Sequence, residues 1–142
     1  MNHAYIIKSP ESDAEIHRMW RLNHAVFAEE YPQHPASADG CLIDKFHGKN
    51  IYRIAWDGQD VLGMISAHWK PPFSAVAKFG DTVERHIIDG KTAEIRLLAL
   101  RKDVRGTAVG RVANDGIAVA WHGASGYFGH FRASEFLSSC RF

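Results

Sequence analysis

The stretch EIRLLALRKDVRGTAVGRVANDGIAVAW, residues 94–121, constrains this chain most. An apolar run, Leu97-Leu98-Ala99-Leu100, meets a charged break, Arg101-Lys102-Asp103. Then comes Arg105-Gly106-Thr107-Ala108-Val109-Gly110. The run predicts a strand over Ala93 to Leu100, buried on both faces. Beyond the turn, Val109, Val112, Ala113, Ile117, Ala120 and Trp121 recur at helical intervals, and Gly123 and Gly126 end that helix. A helix start has unpaired N–H groups and a partial positive charge, which suits an anion. Gly106, Ala108 and Gly110 would let a phosphate approach the backbone, and Arg105 and Arg111 add charge. The turn is no P-loop, because the lysine followed by serine or threonine is missing. It is no dinucleotide fingerprint either, because the Gly-x-Gly spacing is absent.

The remaining chain supplies elements of both kinds. Tyr5-Ile6-Ile7 is a short strand, closed by Ser9-Pro10. Ser12 or Asp13 caps a helix running to about Tyr31, with Ile16, Met19, Trp20, Val26 and Phe27 on its apolar side, until Pro32 and Pro35 break it. Residues 32–48 read as a polar loop. Asn50 to Trp56 and Val61 to Trp69 read as strands joined by Asp57-Gly58-Gln59-Asp60, a hairpin. Pro71-Pro72 ends it, and 73–92 shows no clear pattern beyond the loop signals Gly80-Asp81 and Asp89-Gly90. Tyr127 to Ala133 is a final strand. The order strand, helix, hairpin, strand, helix, strand predicts an α/β or α+β class.

A chain of 142 residues is the size of one domain, and 46% hydrophobic with 23% charged residues is ordinary globular composition. The net charge of +1 gives no electrostatic reason to expect nucleic acid or an anionic membrane. No apolar run is long enough to span a bilayer, and Met1 to Asp13 lacks a signal-peptide core. The two cysteines, Cys41 and Cys140, form no disulfide framework. A soluble, cytoplasmic protein is expected.

At the turn the sequence resembles the GCN5-related N-acyltransferase superfamily, whose Arg/Gln-x-x-Gly/Ala-x-Gly/Ala motif matches Arg105 to Gly110. The order of elements also matches over most of the chain, so the resemblance implies a mixed, mainly antiparallel central sheet flanked by helices. The resemblance implies that the cradle holds the pyrophosphate of acetyl- or a longer acyl-coenzyme A. It also implies that the preceding strand bonds the pantetheine arm through its backbone, and that Leu98, Ala99 and Leu100 supply the oxyanion donor. A narrower similarity joins Phe27, the segment Asp44-Lys45-Phe46-His47-Gly48 and Glu94 to the acyl-homoserine lactone synthases and N-acyl amino acid synthases. Those enzymes take acyl chains from a carrier protein or coenzyme A. His47 stands at their second acidic position, Asn23 at an arginine position, and a further arginine is missing from Gly63 to His68. These departures point away from homoserine-lactone chemistry.

Acyl transfer to an amine needs a proton acceptor, an oxyanion donor and reprotonation of the thiolate. Glu94 is the first candidate base; the alternative is a structural pair with Arg96 or Arg53. His68 is the second candidate, the alternative being a satisfied half-buried histidine. Phe27, Asp44 and His47 are candidate substrate contacts, with a loop-stabilising role equally open for Asp44 and His47. The nine histidines show no metal-ligand spacing, and no metal is expected. A Cys41–His47 thiol pair lacks a third positioning group. Trp20, Trp56, Trp69 and Trp121 read as core or pocket wall.

From Tyr127 on, about sixteen residues remain, too few for the superfamily's final strand, helix and two strands. An abbreviated C-terminus is therefore expected. A homodimer covering the sheet edge, a truncated sequence or a loss of catalysis would each account for it. Three functions compete: an acyl-coenzyme A-dependent N-acyltransferase for a small amine or amino acid, a non-catalytic acyl-carrier-binding module, or a small protein whose turn is only structural. The first expects Glu94 open to a cleft; the second expects Glu94 paired or buried.

Overall fold

A computed structural model describes residues 4–87 and 92–107. Strand β1 (Ile6–Lys8) leads to helix α1 (Asp13–His24), which continues as a π-helical stretch, Ala25–Glu30. Strands β2 (Ile51–Trp56) and β3 (Val61–His68) follow, then short helices α2 (Ser74–Phe79) and α3 (Asp81–Glu84). Strand β4 (Glu94–Leu100) and a 3₁₀ turn (Lys102–Val104) complete the described part. The strands form one sheet, ordered β1-β2-β3-β4, with every neighbouring pair antiparallel. The protein is therefore of mixed α and β class, an antiparallel sheet with helices packed on it.

Ser12 caps α1: its Oγ accepts from the Glu15 N–H at 3.2 Å. Glu15 reaches back to the Glu11 N–H at 2.7 Å and also holds Lys8 of β1 at 2.7 Å, so helix start and edge strand are tied together. The α-helix stops earlier than its apolar spacing predicts. From Ala25 the backbone widens, and the Tyr31 N–H bonds the Val26 carbonyl at 2.8 Å, five residues back. His24 Nδ1 meets Glu29 Oε1 at 2.9 Å with that same spacing, and Nε2 accepts the Ser37 N–H at 3.0 Å. The wider turn thus matches the side-chain pair, and Pro32 ends the element.

The hairpin turn follows its sequence. Gly58 has φ of 98°, and Asp57 Oδ1 accepts from the Gln59 and Asp60 N–H groups at 2.9 and 2.7 Å. In this sheet β3, between β2 and β4, is buried along its whole length. That corrects the expectation for the Leu97–Leu100 run. In β4 only Leu97 and Ala99 are buried, because among the described residues β4 is paired on one side alone. Met19, Leu22 and Val26 pack onto Tyr52, Ile54, Val61, Met64, Leu97 and Ala99 on one face. On the other, Ala55, Leu62, Ile65 and Ala67 pack with Val104. Each large side chain so buried contributes roughly 1.5–3 kcal/mol. The helices α2 and α3 occupy the stretch whose sequence showed no pattern.

Ala108, Val109, Gly110 and Arg111, the helix expected after the turn, the strand expected from Tyr127 and the expected short C-terminus lie outside the described residues.

Candidate functional site

The polar end of the α1-facing sheet surface gathers most of the candidate residues. Glu94 opens β4 directly opposite His68, which closes β3. Between Ile95 and Leu97 the register slips by one, so Arg96 is the extra residue of a bulge. Bulges of this kind re-aim a side chain. Arg96 turns to Asp44 in a bidentate pair, Nη2 to Oδ1 at 2.9 Å and Nε to Oδ2 at 3.1 Å. Its guanidinium also lies 4.7 Å from the centre of the Phe46 ring.

Glu94 is saturated with donors. Its Oε1 accepts the Ser74 N–H at 3.0 Å, and its Oε2 accepts the Ser74 hydroxyl at 2.9 Å and the Ala75 N–H at 2.8 Å. Arg96 Nη1 lies 3.4 Å away and donates to the Ser74 hydroxyl as well. Burial opposes ionisation of Glu94. The backbone of Ala75 and Ser74, the Ser74 hydroxyl and Arg96 outweigh it, and hold the carboxyl below its usual range. Asp44 is likewise held down: burial opposes ionisation, but Arg96 and Asn50 overcome it. Of the two arginines expected as partners for Glu94, Arg96 takes the role, whereas Arg53 donates to Ser9 Oγ at 2.6 Å.

His68 is fully buried, stacked on Phe73 at 5.4 Å and edge-on to Phe46 at 5.0 Å. The sequence reading of a half-buried strand-end histidine is corrected here: Phe73, just ahead of α2, and Phe46 of the 44–50 loop pack against it. Its Nε2 lies 3.3 Å from Glu94 Oε1. An ionised carboxylate only accepts, so the proton sits on Nε2 and the lone pair on Nδ1. Nδ1 has no hydrogen-bond partner. Burial and then Lys49 push the imidazole pKa down, against Glu94 and the Lys70 backbone. The ring is therefore neutral at physiological pH.

The His47 N–H bonds the Asp44 carbonyl at 2.9 Å, while the two side chains are linked only through others. Asn50 Nδ2 donates to Asp44 Oδ2 at 2.7 Å and to the Tyr52 hydroxyl at 3.3 Å, and that hydroxyl meets His47 Nδ1 at 2.9 Å. The chain Arg96–Asp44–Asn50–Tyr52–His47 fixes the loop to the sheet. Phe27 instead packs against the apolar cluster with Trp20 and Trp56. Sequence reasoning passed over Asn50, Tyr52 and Ser74. The only available signal was their closeness in number to Asp44, His47 and the Pro71-Pro72 break.

At the far end of β4, Leu98 and Leu100 stand opposite Ile65 and Gly63 in the β3–β4 ladder, and Ala99 is buried opposite Met64. The turn that follows is closed on itself. The Thr107 N–H and hydroxyl bond the Val104 carbonyl at 3.3 and 2.6 Å, and Gly106 takes φ of 71°. Arg105, expected to face a phosphate, donates through Nε to the Leu100 carbonyl at 2.9 Å and forms an ion pair with Glu30. It thereby ties the turn to the π-helical stretch. Among the described residues no three His, Cys, Asp or Glu side chains are grouped to hold a metal, and no helix is long and apolar enough to cross a membrane.

No family model matches the chain, and neither a curated protein nor a solved structure matches it.

Proposed function

We propose that the protein is an N-acyltransferase that moves an acetyl or longer acyl group from coenzyme A, or a carrier protein, to a small amine. One observation carries the reading. A single strand, β4, joins the Gly106 turn at one end to the His68–Glu94 pair at the other. An extended thioester arm laid along that strand would run from the turn to the histidine. Seven residues of strand reach roughly 20 Å at about 3.3 Å each.

The roles differ from those first expected. Glu94 has no free lone pair for an ammonium proton, so it orients His68, and His68 Nδ1 is the base. The ammonium gives its proton to Nδ1, and the amine nitrogen attacks the thioester carbon. The carbonyl oxygen becomes an oxyanion, which a β4 N–H would stabilise. Collapse breaks the C–S bond, and the proton that the attacking nitrogen still has to lose goes to the leaving thiolate, giving amide and thiol. Asp44 and Arg96 hold the 44–50 loop over this end of the strand.

A second reading, a non-catalytic acyl-coenzyme A-binding module, is favoured by the saturation of Glu94 and the engagement of Arg105. Thermal unfolding with acetyl-coenzyme A and a long-chain acyl-coenzyme A separates the readings from a structural turn. Wild type should gain stability by mass action. Gly106→Glu should lose the gain, and Gly106→Asn, which tolerates positive φ, should keep most of it. Thiol release with an amine panel then tests catalysis, where His68→Gln should cost about 10²–10⁴-fold with binding retained. Binding without thiol release would favour the module, and no shift with either donor would end the coenzyme A-dependent form of both readings and leave a carrier-protein donor or a structural turn.

A further inference from the structure

Among the described residues, the buried side-chain atoms without a hydrogen-bond partner are Trp20 Nε1, Asn23 Oδ1, Asn50 Oδ1, Ser66 Oγ and His68 Nδ1. Their residues converge on one region. Ser66 and His68 are two apart on β3 and share its α1-facing side, where Tyr52 stands opposite Ser66 and Glu94 opposite His68. Asn50 donates to the Tyr52 hydroxyl, which also meets His47, and Trp20 stands edge-on to His47 at 5.4 Å. Asn23 lies on the buried side of α1 with Met19 and Leu22, about one turn after Trp20. Asn23, Ser66 and His68 are 1%, 0% and 1% exposed, so bulk solvent does not reach them. Buried polar atoms are almost always partnered, and a group of orphans in one place calls for an explanation.

We propose that these atoms are the recognition set of a small-molecule site, and that its ligand is a primary ammonium carrying one hydrogen-bond-accepting oxygen. In the acyltransferase reading, on which this assignment of a role rests, that ligand is the acyl acceptor. The valences select it. The Asn50 amide is fixed, because Nδ2 already donates to Asp44 and Tyr52, so Oδ1 only accepts. His68 Nδ1 accepts, and Asn23 Oδ1 is a third acceptor. An ammonium has three N–H donors to match them. Trp20 Nε1 only donates and the Ser66 hydroxyl is able to, so these two take the ligand oxygen. The carboxylates of Asp44 and Glu94 face the single guanidinium of Arg96, while Lys49 is held by the Lys70 and Pro72 carbonyls. A quaternary ammonium has no N–H to offer and does not fit this set.

The test is thermal unfolding without any acyl donor, at millimolar ethanolamine, glycinamide, propylamine or choline, well below osmolyte concentrations. Ethanolamine or glycinamide should raise the melting temperature by about 3 °C or more at saturation. Propylamine should give less, and choline nothing. Ser66→Ala should raise the ligand-free melting temperature slightly, because it removes an unpaired hydroxyl, yet it should cut the amine shift by more than half. Asn23→Leu should abolish the shift. Equal shifts with choline, no shift with any amine, or a Ser66→Ala variant that is less stable but binds unchanged would each overturn the proposal. A shift with acyl-coenzyme A but with no amine overturns this inference alone. A shift with amines but not with acyl-coenzyme A overturns the coenzyme A-dependent acyltransferase reading and leaves the site.

Discussion

Two ends of the same sheet face are built on opposite terms. At one end Met19, Leu22 and Val26 pack on Ile54, Val61, Met64 and Ala99, with no side-chain polar group to satisfy. At the other, Asp44, Glu94 and Arg96 satisfy one another, while Asn23, Asn50, Ser66 and His68 keep unpaired atoms. The difference follows from solvation costs. An unpaired buried charge costs so much that the chain must partner it internally. A neutral orphan costs about 1–3 kcal/mol, which a stable apolar half can offset. Charges are thus paired within the fold, and the groups left unpaired are neutral ones, those of the proposed site.

The largest expected effect breaks the charged end. Arg96→Met leaves Asp44 buried beside an uncharged side chain and should cost about 3–5 kcal/mol. Chemical denaturation measures it, and the double variant with Asp44→Asn should recover part of the loss. Met64→Ala at the apolar end should cost about 2–5 kcal/mol through its cavity, with no effect on amine or acyl-coenzyme A binding. A binding defect in Met64→Ala would dissolve the distinction between the two ends.

Acid should act on the polar end in two stages. His68 is held below its usual 6.5, so the unfolded chain takes up that proton first. Stability should therefore begin to fall as the pH drops below about 6.5, and His68→Gln should flatten that part of the profile. Glu94 and Asp44 are held below their usual 4.5 and 3.8, so their contribution is complete above those values. It should be lost as the pH falls through their lowered folded values. A melting-temperature series from pH 8 to about 3 checks both stages. The smallest effect lies away from the site: Ser12→Ala removes the α1 cap and should cost about 1 kcal/mol.

The sequence by itself determined what is local. Ser12 announced the α1 cap, Asp57-Gly58 the hairpin turn, and Gly106 the break after β4, because caps and positive φ depend on near neighbours. His68 came into view through its residue type at a strand end, and Asp44, His47 and Glu94 through the positions at which the sequence resembles a known family. Tertiary structure alone decided their roles. Glu94 meets Ser74 and Ala75 across twenty and nineteen residues, and Arg96 meets Asp44 across fifty-two. Arg105 meets Glu30 across seventy-five. A strand period tells which residues share a face, but not which loop or helix covers them. Hydrogen-bond saturation is a property of that cover, so only the fold turned Glu94 into an anchor and left the His68 lone pair open.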